Sequence, residues 1–299
     1  ISELQIAGIF DLVGAKAAAL AAEAGAPAFP DLNRALDELK PDYVALLTPR
    51  DARLEHVQNC AARGIPVFME KPPCHDLATG GQILEILRRS SLLHSVGFMH
   101  RWNDALNWAL GRFPRNTISA IQFTFTSPFA TSPVFDQYPG PYLVEKSGGL
   151  AGDQGIHYVD VARYIAKSNI VACRAFGANQ LLKKSARVTT VDSAGWLLSM
   201  ENGIQAAHTH TWCSDSWRAS VALLAHSGCI TVDLFNNSAA GTVAGQATQY
   251  KGTLDEFEAE HRGFLEAVKT RSMAPVRSSF ADALESFRWT ARINELLYG

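Results

Sequence analysis

The chain has 299 residues, of which 47% are hydrophobic and 19% charged, and its net charge is −2. This composition predicts a globular protein with one large domain or two medium ones, and it excludes a strongly basic nucleic-acid binder. No apolar run approaches the roughly 20 residues of a membrane helix and no signal peptide opens the chain, so we expect no membrane partner and a cytoplasmic location. The 5 cysteines are scattered without zinc spacing, which predicts reduced thiols and no metal site.

Strand-like and helical patterns alternate through the first hundred residues. Strands are predicted at 4–10, 43–48, 66–69 and 92–99, and helices at 14–26, 31–39, 52–64 and 77–90. Alternation with short connections is typical of βαβ units. The sequence therefore predicts an α/β domain with a Rossmann-like parallel sheet over residues 1–116.

The pattern changes from about residue 118. Strands are predicted at 118–127, 188–200, 203–212, 219–227 and 229–235, and helices near 153–166, 254–270 and 280–297. Strands joined by short turns, with few helices between them, favour an antiparallel sheet. The sequence predicts an α+β domain over 117–299 with a large, mainly antiparallel open sheet, and it predicts a loop at 236–249.

Polar residues follow three of the predicted parallel strands. Asp11 follows the first, Thr48 and Pro49 follow the second, and Glu70 and Lys71 follow the third. Ligands of open α/β sheets bind at the carboxyl ends of the strands, so these residues are candidates for a binding site. An ordinary role in a loop or helix cap explains each of them equally well when it is taken alone.

A second candidate segment lies at 148–165. Asp153 and His157 are four residues apart at the start of a helical pattern, which places them on one face, with Asp160 nearby. Gly148 and Gly149 precede them and allow a close approach without side chains. The alternative is an acidic helix N-terminus that favours the helix dipole, with a histidine satisfied by it.

These two segments together resemble the Gfo/Idh/MocA oxidoreductases. The sequence Glu-Lys-Pro at 70–72 resembles the EKP motif of that family. The family's second signature is matched at Gly148, Gly149, Asp153, Gly155 and His157. The resemblance covers essentially the whole chain, and it implies a Rossmann domain that carries NAD(P) and a sheet domain that carries a sugar, inositol or related polyol. It implies an enzyme that transfers a hydride between that substrate and nicotinamide.

The resemblance also implies catalytic and substrate-binding roles for four residues. Lys71 is expected to lie beside the reacting hydroxyl and the nicotinamide, where its ammonium can hydrogen-bond the oxygen. His157 is expected to be the general acid/base, since an imidazole with an ordinary pKa of about 6.5 suits proton transfer near neutrality. Asp153 is expected to orient the substrate or the imidazole. Arg101 is expected to bind the substrate, because family members often have an arginine there.

The resemblance implies a cofactor site as well. Thr48, Pro49, Glu70 and Lys71 are expected to contact the cofactor. Asp11 is expected to accept hydrogen bonds from the adenosine ribose and to repel a 2′-phosphate, which favours NAD over NADP, although it could be a surface turn residue. Family members commonly pair through the open sheet, so we expect a homodimer or homotetramer.

The sequence departs from the family pattern in two places, and one pair of histidines outside the family motifs allows two interpretations. No G-x-G-x-x-G motif precedes Asp11, so the first βα unit with its phosphate loop is expected to be missing and the parallel sheet to have a gap. The usual asparagine and histidine after Thr-Pro are Arg50 and Arg53. His208 and His210 share one face of a strand, for which packing or an interface is favoured over a metal.

Three explanations of the missing loop remain open. The chain is a shortened form of a normal enzyme, or it has lost NAD and is a non-catalytic ligand-binding or regulatory protein, or another segment fills the gap. A further alternative is an NAD-dependent glycosidase, since some family members use NAD in a transient redox cycle to cleave glycosidic bonds.

Overall fold

The structure is a computed structural model, and it describes residues 1–114, 117–132 and 140–299. The chain divides into two compact units, one made of 1–97 with 260–284 and the other of 98–259 with 285–299. The domain boundary predicted after residue 116 lies outside the described residues and stays a prediction. In the described part of the chain, no helix is both long enough and apolar enough to cross a membrane.

The first unit is an α/β structure whose strand pairs are all parallel. Its strands are β1 (Ile9–Phe10), β2 (Ala28–Phe29), β3 (Val44–Leu46), β4 (Val67–Glu70) and β5 (His94–Gly97). Its helices are α1 (Gly14–Ala24), α2 (Leu32–Leu39), α3 (Arg53–Ala61) and α4 (Leu77–Ser90). β1 pairs with β2, and β3, β4 and β5 form a separate sheet in that order. The Rossmann-like parallel sheet is confirmed, and its separation into two pieces is the gap that the sequence predicts.

The strand β4 is the central strand of its three-stranded sheet, and its burial agrees with that place. Val67, Phe68 and Met69 are completely buried, as expected for a parallel strand that is covered on both faces. The ring of Phe68 packs against His261 and Phe264, with centroid distances of 4.2 and 5.9 Å. The strand becomes half-buried only at its last residue, where its polar side chains begin.

The second unit is built on an eight-stranded sheet. Its strands are β6 (Ile118–Thr126), β7 (Ile170–Ala178), β8 (Ser193–Met200), β9 (Gln205–Thr211), β10 (Arg218–Ala225), β11 (Gly228–Asp233), β12 (Ser238–Val243) and β13 (Gln246–Lys251). Their order is β13-β12-β11-β10-β6-β9-β8-β7, and among these described strands only β6 and β9 pair in parallel. The large, mainly antiparallel sheet is thus confirmed.

Five further α-helices lie in the described residues after β5. They are α5 (Asp104–Leu110), α6 (Val144–Ser147), α7 (Ile156–Ala166), α8 (Glu256–Thr270) and α9 (Phe280–Tyr298). α7 is buried along almost its whole length on the inner face of the large sheet. The imidazole of His208 on β9 stacks between Trp196 and Tyr158, with centroid distances of 4.2 and 4.6 Å. This packing fixes the helix that contains His157 against the sheet.

Several elements of the second unit were not predicted, among them the short helices α5 and α6 and two strand regions. The loop predicted at 236–249 is wrong, because β12 and β13 form a hairpin there, joined by Ala244 and Gly245. Both turn residues have positive φ, +50° and +77°, as a two-residue hairpin turn of type I′ requires. The strand β7 was missed as well. The hairpin strands mix small and polar residues that are mostly exposed or half-buried, so neither a hydrophobic alternation nor an Asn-Gly turn indicated it.

Candidate active site

Lys71 is presented directly after the end of β4. The strand ends at Glu70, and the backbone N–H of Lys71 donates to Oε2 of Glu70 at 3.0 Å. The following peptide bond, between Lys71 and Pro72, is cis. Lys71 is half-buried, so it remains partly accessible to solvent. Its backbone is held by the hydrogen bond to Glu70.

A buried arginine lies beneath this segment. The side chain of Arg53 is only 1% exposed. Its Nη1 donates to the backbone carbonyls of Glu70 and of Pro72, the second at 3.2 Å, and its Nη2 donates to the carbonyl of Thr48 at 2.8 Å. Burial lowers the pKa of Arg53 to about 10, against the opposing charge of Glu70, so the guanidinium stays protonated at neutral pH.

The other predicted cofactor residues also lie at strand ends. Thr48 lies two residues beyond β3, and its Oγ1 is 3.1 Å from Nδ1 of His56. Pro49 accepts a hydrogen bond from the N–H of Ala52 at 3.2 Å and begins a short 3₁₀ turn. Asp11 follows β1, and its Oδ1 accepts from the N–H of Val13 at 2.7 Å. The structure brings Thr48, Glu70 and Lys71 together around Arg53, whereas Asp11 follows a strand of the separate two-stranded sheet.

In the second unit, the glycine pair has the backbone conformation that only glycine adopts readily. Gly148 and Gly149 have φ values of +81° and +61°. A Cβ on Gly149 would lie 2.6 Å from Oγ1 of Thr190 and 2.9 Å from the hydroxyl of Tyr298. A close approach is therefore present at Gly149, and it is made to Thr190 and Tyr298 of the same unit.

One turn of π-helix at Ala151–Gly155 contains Asp153 and leads directly into α7. The predicted helix over 153–166 is correct from residue 156 onward, and the π-turn before it was not predicted. Single π-turns often lie at functional sites. Here the turn separates the half-exposed Asp153 from His157, which is 9% exposed at the start of the regular helix.

The side chain of Gln154 connects this π-turn to β9. Its Oε1 lies 2.7 Å from Nε1 of Trp212 and 3.3 Å from Nε2 of His210. An indole N–H can only donate, so the Gln154 atom that faces it is the oxygen, and His210 must donate from Nε2. Nδ1 of His210 is then the acceptor for Nε2 of His208 at 3.1 Å. This order leaves Nδ1 of His208 as a buried acceptor with no partner in the described residues.

Both histidines of this chain of hydrogen bonds are neutral. Burial lowers the pKa of His210 to about 3. Burial, together with the neighbouring His210, lowers the pKa of His208 well below its ordinary value. Their position inside the core agrees with the packing role favoured by the sequence.

His157 has aromatic and charged neighbours within its own unit. Its ring meets Phe98 edge-on at a centroid distance of 6.0 Å and His100 at 5.4 Å. Nδ1 of His100 lies 2.7 Å from Oε2 of Glu256, and the amide of Asn103 also donates to that carboxylate. A buried histidine–carboxylate pair thus lies beside the predicted acid/base.

Arg101 makes a buried ion pair. It is 4% exposed, and its Nε and Nη2 donate to the two oxygens of Asp160 at 2.7 and 2.6 Å. The hydroxyl of Ser286 donates to the same carboxylate at 2.9 Å. This geometry offers a structural role for Arg101, which fixes the segment after β5 to α7. Substrate binding by Arg101 stays a prediction.

The chain matches two family models along its length. The model described as "Oxidoreductase family, NAD-binding Rossmann fold" matches residues 1–98, and the model described as "GFO/IDH/MocA C-terminal domain" matches residues 117–231. The chain belongs to the Gfo/Idh/MocA family. The resemblance stated from the EKP and Gly-Gly segments is thereby confirmed.

Several members of the Gfo/Idh/MocA family are similar in sequence. An inositol 2-dehydrogenase of Rhizobium meliloti is 26% identical over 191 residues, which are 62% of this chain and 56% of that protein. A D-apiose dehydrogenase of Paraburkholderia graminis is 27% identical over 169 residues, or 54% of this chain and 42% of that protein. The chain spans about half the length, or less, of the curated relatives it matches.

Solved structures of the family share the fold. A UDP-N-acetylglucosamine 3-dehydrogenase of Acidithiobacillus ferrooxidans gives a TM-score of 0.84 at 19% identity, over 98% of this chain and 90% of that chain. A levoglucosan dehydrogenase in complex with NADH and levoglucosan gives 0.84 at 17% identity, over 97% and 88%. At this level of identity the likeness shows the fold alone.

Sequence reasoning missed three groups of residues around the Gfo/Idh/MocA signature positions. Arg53 was noticed only as a departure from the family pattern and received no role. The pair of His100 and Glu256 is separated by 156 residues, so no local spacing could have indicated it. The Gln154 network also joins distant segments, although Gln154 itself lies inside the recognised motif.

Proposed function

We propose that this chain is an NAD-dependent oxidoreductase that transfers a hydride between a hydroxyl of a sugar, inositol or related polyol and nicotinamide. The observation that carries the proposal is the presentation of Lys71 at the carboxyl end of β4, within the EKP motif of a family with an NAD-binding Rossmann fold. The similarity to inositol and apiose dehydrogenases supports the substrate class.

The donor set at the strand ends fits NAD. The carboxylate of Asp11 follows β1 and can accept hydrogen bonds from ribose hydroxyls, which favours NAD over NADP because a 2′-phosphate would be repelled. Thr48, Pro49, Glu70 and Lys71 follow β3 and β4 and supply further polar contacts for the cofactor. When bound, NAD supplies the nicotinamide that accepts the hydride.

The residues of the chain supply position, charge and proton transfer. The ammonium of Lys71 donates a hydrogen bond to the reacting oxygen and stabilises the negative charge that develops there. His157 accepts the hydroxyl proton during oxidation and returns it during reduction. Asp153 orients the substrate or the imidazole. Each role is assigned from the residue's chemistry and from the motif in which it lies.

The test is a substrate screen with matched variants. The chain is incubated with NAD and with myo-inositol, scyllo-inositol, D-apiose, UDP-N-acetylglucosamine, glucose 6-phosphate or levoglucosan, and NADH formation is followed by absorbance. We expect one of these classes to be oxidised, and expect Lys71→Met and His157→Phe to lose at least about 100-fold in kcat. The exposed Lys184→Met serves as control and should keep full activity. Full turnover by the Lys71 variant would remove that residue from the proposed chemistry.

We further propose that the chain forms a homodimer or homotetramer through the open sheet. Three large apolar side chains on β7 and β8 support this, since Val171, Phe176 and Leu197 are 57%, 80% and 43% exposed. A second copy that covers this face would remove them from water. Light scattering after size exclusion tests the proposal, with Phe176→Ser expected to weaken association; a monomeric parent chain would contradict it.

A further inference from the structure

We propose that Arg53 is the positioning residue that holds Lys71 in place, and that it does so by clamping the backbone on both sides of it. This inference rests on the proposed catalytic role of Lys71. One nitrogen, Nη1, donates to the carbonyl of Glu70 and to the carbonyl of Pro72. These are the carbonyls of the residues immediately before and after Lys71, so one hydrogen-bond donor restrains the residues on both sides of the lysine.

The clamp also joins two strand ends. Through Nη2, the same guanidinium donates to the carbonyl of Thr48, which follows the neighbouring strand β3. Only a planar guanidinium presents two separate nitrogens in a fixed fork, so it can bond both strand ends at the same time. Arg53 is also the first residue of α3, which fixes its own backbone. Two of the predicted cofactor residues, Thr48 and Glu70, are therefore bonded to one side chain, which also bonds Pro72 on the far side of Lys71.

The chemical environment of Arg53 points to positioning rather than to stability. Its polar side-chain contacts are backbone carbonyls, and its Nε has no acceptor within the described residues. Burial of a cation without a hydrogen-bonded carboxylate is unfavourable, as the lowering of its pKa to about 10 also indicates. A residue kept for stability alone could be an apolar side chain of similar volume. An apolar residue could not donate the three hydrogen bonds to the carbonyls of Thr48, Glu70 and Pro72.

The test compares three variants. Arg53→Met removes the clamp and keeps the approximate length of the side chain. Arg53→Lys keeps the charge but replaces the rigid fork of two nitrogens by one ammonium on a different stem, so we expect it to keep only part of the three carbonyl bonds. Arg63→Met is the matched control, because Arg63 lies just beyond α3 and pairs at the surface with Asp37 at 2.7 Å. Each is examined by hydrogen–deuterium exchange over residues 67–76, by urea unfolding, and by kcat and KM on the best substrate of the screen.

We expect Arg53→Met to increase exchange at 67–76 while the rest of the first unit keeps its protection. We expect its kcat to fall by about 100-fold with little change in the KM of the substrate, since a small displacement of a catalytic group costs about that much. Arg53→Lys should recover part of both losses, and Arg63→Met should behave as the parent chain.

Two results would overturn the inference. The first is unchanged exchange at 67–76 in Arg53→Met. The second is faster exchange throughout the unit with no recovery in Arg53→Lys, which would make the arginine a general structural residue. The exchange experiment needs no cofactor and no turnover. If the parent chain is inactive in the substrate screen but the local exchange result holds, the proposed function fails while the clamp on Lys71 stands.

Discussion

The indole Nε1 of Trp212 donates to Oε1 of Gln154 at 2.7 Å, and this hydrogen bond joins the segment after β9 to the π-turn that contains Asp153. Because Gln154 lies next to Asp153, its side chain restrains the backbone of that turn from the inner side of the sheet. The position of the Asp153 carboxylate should therefore depend on the side chain of Gln154.

We predict that Gln154→Leu lowers kcat by about tenfold and lowers the free energy of unfolding by about 1–3 kcal/mol, because two buried donors lose their acceptor. Steady-state kinetics and urea unfolding measure both effects. Gln154→Glu is the control, since a carboxylate keeps an acceptor for Trp212 and should retain more activity. Equal activity of the leucine variant and the parent would show that the network does not position the turn.

The buried histidine pair predicts a loss of stability in mild acid. The pKa values of His208 and His210 are lowered in the folded state, that of His210 to about 3, whereas an unfolded histidine has a pKa of about 6.5. The unfolded chain therefore binds protons first as the pH falls below 6.5. The contribution of the two neutral histidines to the free energy of unfolding is complete above pH 6.5. It decreases as the pH falls from 6.5 toward the pKa values of the folded state. Between pH 7 and pH 5 His210 alone accounts for a loss of about 2 kcal/mol, and His208 adds to the loss in the same direction.

Urea unfolding at pH 7 and pH 5 measures this loss. His56, His94 and His261 also have pKa values lowered by burial and act in the same direction, so the parent chain should lose at least the predicted amount. The double variant His208→Leu with His210→Gln isolates the pair and should show a clearly smaller pH dependence. An unchanged pH dependence in this variant would contradict the assignment.

The glycine pair predicts a strong effect of one added methyl group. In Gly149→Ala, a Cβ would be placed 2.6 Å from Oγ1 of Thr190 in a backbone conformation with φ of +61°. We expect a loss of about 2–4 kcal/mol, from the strained backbone and the steric contact together. Gly245→Ala is the control, because its φ is +77° but no heavy atom lies within 4 Å. Equal losses in the two variants, measured by thermal unfolding, would mean that the contact with Thr190 is unimportant.

Arg101 allows its structural and substrate-binding roles to be separated. Arg101→Met leaves the carboxylate of Asp160 buried without its cation, and we expect a loss of about 3–5 kcal/mol in the free energy of unfolding. Adding Asp160→Asn should restore part of this stability, because the remaining group is neutral. If Arg101 instead binds the substrate, the main change would be a higher KM with unaltered stability, and urea unfolding with substrate titration distinguishes the two.

The sequence was sufficient for the fold class because the signals were local. The buried run of β4, the alternation of strands and helices, and the Gly-Gly segment each lie within a few residues of one another. The β12–β13 hairpin was missed because its strands mix small and polar residues without a hydrophobic alternation, and its turn contains Ala244 where an asparagine is usual. Arg53, His100 and Glu256 acquire their partners only in the folded chain. The motifs around Lys71 and His157 were therefore recognised from the sequence, whereas the residues that contact these motifs were not.

The most direct test of the proposed function is a titration of NADH into the 299-residue chain, followed by quenching of its tryptophan fluorescence. NADPH is titrated in parallel, and Asp11→Ala is compared with the parent chain. We predict saturable NADH binding in the micromolar range, weaker binding of NADPH, and a smaller difference between the two in the Asp11 variant. A chain that unfolds cooperatively, and is therefore folded, but gives no saturable change with either nucleotide would contradict an NAD-dependent function.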